Sequence, residues 1–326
     1  MSLEEFLDEW HNDSPYVLVH TSGSTSKPKP MLVEKRRMEA SAQKTCEFLG
    51  LKSGDRALLC LPLDFIAGKM MVVRALTCNL QLTSIEPSSC PCWEGPVDFA
   101  AMVPMQVWSM LKNSEGRKRL MTIKHLIIGG SAIDDSMSAE LKDLPNAIWS
   151  TYGMTETLSH IALRRLNGPE ATEWYTPFDG VQLSLNEDQC LVIDAPAVHD
   201  GPLVTNDIAE LHPSPITNHP SPITHHPSPM FRILGRRDNT ICSGGIKIQA
   251  EEVERRLQPF ISTPFLITKC HDEKLGEAVV LMTEGDTDGL MEICRRELPR
   301  YWCPRRFVHV DNLPRTENGK VIRKML

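Results

Sequence analysis

Short apolar runs alternate with longer helix-patterned stretches through the first half of the chain, and that alternation restricts the fold more than any other feature. Strands are expected at Tyr16 to Val19, Ala57 to Leu61, Phe99 to Val103, His125 to Ile128 and Ala147 to Ser150, each bounded by Gly, Pro or Ser. Between the first two, Met38, Ala42, Thr45 and Leu49 recur at helical spacing, while Glu34, Lys35, Arg37 and Lys44 are free to face water. Strand–helix–strand order with short connections predicts an α/β fold, a largely parallel sheet covered by helices up to about residue 165. From Thr176 to Leu211 the helical period stops. Short strands at Val181 to Leu185, Leu191 to Ile193 and Ile208 to Leu211 mark a small β subdomain. After a charged turn, Gly235 to Asn239, come a helix from Ala250 to Gln258 and strands at Val279 to Met282 and Phe307 to Val310. That last part reads as a small α+β domain, so the expected division is 1–235 and 236–326.

A length of 326 residues suits two domains at ~150 residues each. The net charge of −7 offers no basic face for nucleic acid. With no apolar run near the ~20 residues of a membrane helix and no charged-then-apolar leader, a cytoplasmic protein without a transmembrane segment is expected. Cys90 and Cys92 flank a proline but lack a second pair or histidines at ligand spacing, so the ten cysteines read as reduced thiols. Six of the 24 prolines fall between His212 and Met230, in a seven-residue unit that starts at His212, His219 and His226. Alternate prolines remove backbone donors and leave a solvated polyproline-like excursion. A metal-binding or peptide-recognition tract using His212, His219, His225 and His226 is the alternative reading.

The most informative segment is Thr21-Ser22-Gly23-Ser24-Thr25-Ser26-Lys27-Pro28-Lys29-Pro30, directly after the first expected strand. Small hydroxyl residues around a glycine let amides and hydroxyls converge on phosphate oxygens, and Lys27 and Lys29 add positive charge. Taken alone, the segment reads either as a polyphosphate loop or as a flexible polar turn. Its pattern resembles the phosphate loop of the adenylate-forming superfamily, which includes acyl-CoA synthetases, luciferases and nonribosomal adenylation domains. Tyr152-Gly153-Met154-Thr155-Glu156 resembles that family's adenine and magnesium motif, and Thr205-Asn206-Asp207 its ribose motif. Gly235-Arg236-Arg237-Asp238 followed by Ser243-Gly244-Gly245 resembles its interdomain hinge, and Pro314 to Lys320 its C-terminal lysine motif. The five segments keep the family's order.

The resemblance implies an AMP-forming acid–thiol ligase that uses ATP, Mg²⁺ and CoA. A carboxylate attacks the α-phosphate of ATP to give an acyl-adenylate, a reaction helped mainly by positioning and electrostatics. By resemblance, Thr21, Ser22, Gly23, Ser24, Thr25 and Lys29 hold the β- and γ-phosphates, Glu156 binds Mg²⁺ and Thr155 contacts the α-phosphate. Tyr152 stacks on adenine, Asp207 accepts from the ribose hydroxyls with Arg236 assisting, and Lys320 bridges the attacking carboxylate and the α-phosphate. The C-terminal domain turns about Asp238 for thioester formation, bringing Ser243, Gly244 and Gly245 toward the pantetheine arm. A plain tight turn is the other reading of those glycines. Residues 300–326 carry seven Lys/Arg and two Asp/Glu, a charge suited to CoA phosphates or to an ordinary solvated surface.

Narrower wording at Leu61 to Arg74 and at Gly153 to His160 resembles short bacterial o-succinylbenzoate-CoA ligases of menaquinone biosynthesis. Their substrate carries a second carboxylate on its aromatic ring, which makes Arg74, then His160, the expected substrate residues, with Gly129, Gly130 and Ser131 along the acyl channel. Ser26, Pro30, Asn206 and Phe65 depart from family preferences, and only about 20 residues precede the phosphate loop. One wall of the acyl pocket is therefore expected to be missing or rebuilt. Loading of a carrier protein, and nucleotide binding without turnover, are the competing functions; the presence of both Glu156 and Lys320 argues against the second.

Overall fold

The computed structural model describes residues 1–20, 30–131, 133, 135–212, 228–314, 322–323 and 325–326. The chain opens with helix α1, Leu3–His11, started by a reciprocal cap in which Ser2 Oγ accepts from the Glu5 amide and the Glu5 carboxylate accepts from the Ser2 amide. Strands β1, Tyr16–His20, and β2, Pro30–Glu34, then form an antiparallel hairpin whose register runs from Tyr16↔Glu34 to His20↔Pro30. The first expected strand is thus outside the parallel sheet. A partner only a short loop away closes at less entropic cost than a crossover through α2, Lys35–Leu49. Helix α2 buries Met38, Ala42, Thr45 and Leu49, the expected stripe, and ends at Gly50 in the left-handed conformation.

A seven-stranded sheet follows in the order β4-β3-β5-β6-β7-β8-β9. Its first five strands are parallel: β4, Gln81–Ser84, β3, Arg56–Leu59, β5, Val97–Met102, β6, Ile123–Ile128, and β7, Ala147–Gly153. Two antiparallel strands, β8, His160–Arg165, and β9, Thr176–Pro177, complete it. Helix α3, Ile66–Thr77, crosses from β3 to β4 and packs against α2. Helices α4, Pro104–Leu111, α5, Ser114–Leu120, and α6, Asp135–Leu141, cover another part of the sheet, where Val107, Met110, Leu120 and Leu141 meet Ala100, Met102, Leu126 and Ile148. Strands buried in this way read as continuous apolar runs, which is why β5 and β6 stand out in the sequence.

Next, β10, Gln182–Leu185, β11, Cys190–Asp194, β12, Leu203–His212, and β13, Met230–Arg236, form a four-stranded sheet in chain order. Residues 213–227, which hold most of the proline repeat, lie outside the described residues between β12 and β13. The remaining chain builds a five-stranded sheet from β14, Thr240–Ser243, β15, Ile246–Gln249, β16, Phe265–Asp272, β17, Gly276–Thr283, and β18, Arg306–His309. Helices α7, Ala250–Leu257, and α8, Leu290–Glu297, place Val253, Leu257, Leu290 and Cys294 in a core with Ile248, Ile267 and Leu281. Two compact units result. One comprises Met1–Leu183, Ile193–Leu203 and Leu211–Phe231, the other Ser184–Val192, Val204–Glu210 and Arg232–Leu326. No described helix is long and apolar enough to cross a membrane.

Candidate active site

In the first unit, Gly129 to Ser131 and Tyr152 to Glu156 lie where the parallel strands β6 and β7 end, the edge at which open α/β sheets bind ligands. Gly129, Gly130 and Ser131 follow β6. A Cβ on Gly129 would collide with the Thr151 side chain, and Gly130 has φ +89, so both positions favour glycine for local reasons. Tyr152 ends β7 beside a bulge, with ring centroids 5.0 Å from Phe231 and 5.8 Å from Tyr175. Phe231 in turn stacks on Tyr175 at 5.4 Å. Phe231 is fully buried beneath the partly exposed rings of Tyr152 and Tyr175, which it packs against edge-on and face-on respectively.

After the bulge the chain makes a 3₁₀ turn, Thr155–Thr157, in which Thr155 is buried and Glu156 is exposed. The Thr157 hydroxyl accepts from the Met154 amide at 3.0 Å and faces the Ser159 carbonyl at 2.7 Å. Leu158 takes φ +63, a left-handed conformation that is strained for leucine, costing on the order of 1–3 kcal/mol. Glu156 makes no ion pair or hydrogen bond with another described residue, so both carboxylate oxygens remain available to a hard cation.

The same turn leads into a buried polar chain. Arg74 on α3 is 2% exposed, and its Nη2 donates to Ser159 Oγ at 2.6 Å. Ser159 Oγ lies 3.1 Å from His160 Nδ1, His160 Nε2 lies 3.1 Å from Thr45 Oγ1, and the Thr45 hydroxyl donates to the Ser41 carbonyl. One proton assignment satisfies every link: Ser159 donates to Nδ1, and a neutral His160 donates from Nε2 to Thr45. Burial, with Arg74 nearby, pushes His160 well below 6.5, in keeping with a neutral ring. Burial also pulls the Arg74 guanidinium down to about 10, so it remains cationic at neutral pH. Its Nε has no partner, and no described carboxylate pairs with it. Thus Arg74 and His160 come together, while Ser159, which links them, and Thr45, read in the sequence only as part of the α2 core stripe, are the members that sequence reasoning missed.

Two further residues escaped the sequence reading. Lys69, 2% exposed on α3, donates to the Leu18 carbonyl at 2.7 Å, lies 3.3 Å from Glu9 and sits over the Phe6 ring. Glu9 on α1 accepts from the Leu18 amide at 3.0 Å. The pair therefore satisfies both backbone groups of Leu18 on the edge of β1 that faces away from β2. Lys69 could have been flagged as the one cation among apolar neighbours in Ile66 to Val73. Thr21, Ser22, Gly23, Ser24, Thr25 and Lys29 lie outside the described residues; the hairpin holds their flanks, His20 and Pro30, opposite each other.

In the second unit, Arg236 lies 3.3 Å from Asp207 and donates to Asp238 at 2.7 Å, so the expected ribose and hinge residues form one charged group. Asp207 is fixed further by its amide, which donates to Thr205 Oγ1. Gly244 and Gly245, at φ +58 and +83, form the two-residue turn between β14 and β15, with Ser243 paired to Ile246. Both positive angles match a type I′ hairpin, a sufficient local reason for the glycine pair. A surface concavity of about 470 Å³ is lined by Met291, Arg295, Arg300, Cys303, Pro304 and Arg305. Lys320 lies outside the described residues.

Residues 4–196 match the family model described as AMP-binding enzyme, and residues 270–320 that of the AMP-binding enzyme C-terminal domain. A 2-succinylbenzoate--CoA ligase of Salmonella typhimurium is 25% identical over 97% of this chain and 69% of its own length. An acyl-CoA synthetase (AMP-forming)/AMP-acid ligase II-like protein from Dyadobacter fermentans is 33% identical, covering 97% of this chain and 90% of that one with a TM-score of 0.65. The O-succinylbenzoate coenzyme A synthetase of Bacillus subtilis, solved with ATP and magnesium ion, shares the fold at TM-score 0.73 and 20% identity over 94% of this chain and 68% of that one. With more than half its length matched by that family's model, the chain belongs to the AMP-binding enzyme family.

Proposed function

We propose that this protein is an AMP-forming acid–thiol ligase that activates o-succinylbenzoate with ATP and transfers the acyl group to CoA. The observation that carries the substrate is Arg74: a guanidinium buried beside Ser159 and His160 with no carboxylate partner among the described residues. An uncompensated buried cation is costly, and an anionic ligand group removes that cost. Two carboxylates are then needed in one substrate, one to react and one to answer Arg74. The neutral, hydrogen-bonded His160 adds a polar neighbour, with the Phe178 ring packed 5.4 Å from its own.

In the first step a carboxylate oxygen attacks the α-phosphorus and pyrophosphate leaves; in the second the CoA sulfur attacks the acyl carbon and AMP leaves. Tyr152 would face adenine, Thr155 the α-phosphate and Asp207 with Arg236 the ribose, while Thr21 to Thr25 and Lys29 would hold the outer phosphates. Lys320 would offset the charge that gathers as the carboxylate attacks. Glu156 would hold Mg²⁺, which when bound neutralises triphosphate charge. Domains 1–235 and 236–326 would turn about Asp238 between the steps, bringing Ser243 to Gly245 to the thiol channel past Gly129, Gly130 and Ser131. The Arg295, Arg300 and Arg305 concavity supports attraction of CoA phosphates.

Carboxylate-dependent pyrophosphate–ATP exchange tests the reading. Exchange with o-succinylbenzoate, together with its CoA thioester in the mass spectrum, is expected. Exchange only with monocarboxylates would move the substrate, and none with any aromatic or aliphatic acid would sink the ligase.

A further inference from the structure

Tyr175, just before β9, is restrained at its hydroxyl, its backbone and its ring, and the ligase chemistry described above uses none of this. Its hydroxyl lies 2.9 Å from that of Ser150, a buried residue of β7. Its backbone pairs with that of Phe231 in both directions, donating at 2.7 Å and accepting at 3.1 Å. Its ring stacks on Phe231 at an interplanar angle of 24°, and the Arg164 guanidinium stands 5.2 Å from the ring centroid.

Strand pairing brings these restraints beside the end of β7 that carries Tyr152. Ser150 and Tyr152 are two residues apart on one strand and so share a face of the sheet, with Arg164 and Ala162 directly across from them on β8. Ala162 offers Tyr152 only a methyl; the rings beside Tyr152 are those of Tyr175, tilted by 57°, and of Phe231, edge-on. The ladder shifts register between Tyr152 and Gly153, so regular pairing stops where the Tyr152 ring has to be aimed. A binding side chain is presented well only when packing and hydrogen bonds around it fix its own rotamer. Phe231 supplies a buried floor for that purpose, and Tyr175 supplies the flank, with its own place set by the hydroxyl of Ser150.

We infer that Tyr175 is a positioning residue for Tyr152: tied by its hydroxyl to Ser150, it sets the tilt at which the Tyr152 ring meets the adenine of ATP. This rests on reading Tyr152 as the adenine-facing residue. The test measures the Kd for ATP with Mg²⁺ by calorimetry, without carboxylate or CoA, and the KM for the carboxylate in pyrophosphate exchange. Tyr175→Phe and Ser150→Ala remove one and the same hydrogen bond from its two ends. Each is expected to raise the Kd for ATP by about twofold to tenfold, the scale of one such bond, and the double variant by no more than either alone. The KM for the carboxylate stays within about twofold, since only the nucleotide's contact is disturbed. Tyr152→Leu raises the Kd by about tenfold, the scale of a lost base–aromatic contact, and adding Tyr175→Phe to it has no further effect, because nothing is left to position. An unchanged Kd in Tyr175→Phe, an equal rise in the Kd and in the carboxylate KM, or the same rise in the Tyr152→Leu background overturns the positioning role. An unchanged Kd in Tyr152→Leu instead removes the adenine reading beneath it.

Discussion

Arg74 shows how far a single residue can be read from sequence. Its place among apolar neighbours after β3 marks it as unusual, and resemblance suggests a substrate anion. Only coordinates reveal that the guanidinium hydrogen-bonds Ser159, or that Thr45 completes the chain from α2, because contacts between residues this far apart in sequence leave no local pattern. Arg74→Met should raise the KM for the carboxylate by roughly tenfold to a hundredfold, as expected for loss of a charge-assisted hydrogen bond of about 1.5–3 kcal/mol. The KM for ATP should stay unchanged, and the melting temperature should hold or rise because an apolar side chain replaces a buried charge. His160 gives a pH signature. Its folded-state pKa lies below 6.5, so an unfolded chain takes up a proton that the native ring refuses. Stability is therefore complete above about 6.5 and lost as pH falls below it, by at most about 1.4 kcal/mol per pH unit from this group. Melting curves from pH 7.5 to 5 should show that fall, and His160→Gln should flatten it.

At the scale of elements, strong apolar runs were legible and edge features were not. Strands β3, β5 and β6 announce themselves because burial demands runs of mostly apolar residues. Helix α1 passed unread, although Ser2 and Glu5 at cap spacing before Phe6 and Trp10 were signal enough. The β1–β2 hairpin depends on α1 and α3 together through Glu9 and Lys69, one on each helix. Lys69→Met should cost on the order of 2 kcal/mol in denaturant unfolding, since the Leu18 carbonyl loses its donor and Glu9 its cation. The same variant should raise the KM for ATP more than that for the carboxylate, because β1 runs directly into Thr21 to Lys29. Equal rises in the two constants would mean that α3 as a whole has moved.

For the molecule as a whole, the proline repeat and the hairpin edge make opposite contributions. β12 and β13 are neighbours in their sheet, so a connection of a few residues can join them, and lengthening a surface loop costs little closure entropy. Deletion of Pro213 to Thr224 should leave both half-reactions within about twofold; a tenfold loss in either would give the tract a part in catalysis. The repeat reads as a loop from its prolines alone, because proline writes its backbone limits into the residue itself. The hairpin edge was not legible, since what blocks it arrives from two helices. Tyr16, Leu18 and Leu32 are 43%, 41% and 65% exposed, and Leu18 stands directly across from Leu32, so the hairpin shows water an apolar face. A face of that kind beside an open row of amides and carbonyls invites another chain to add a strand, and Glu9 and Lys69 occupy that row at Leu18. The pair thereby also governs solubility: light scattering from Lys69→Met should climb with protein concentration under conditions in which the native protein stays clear.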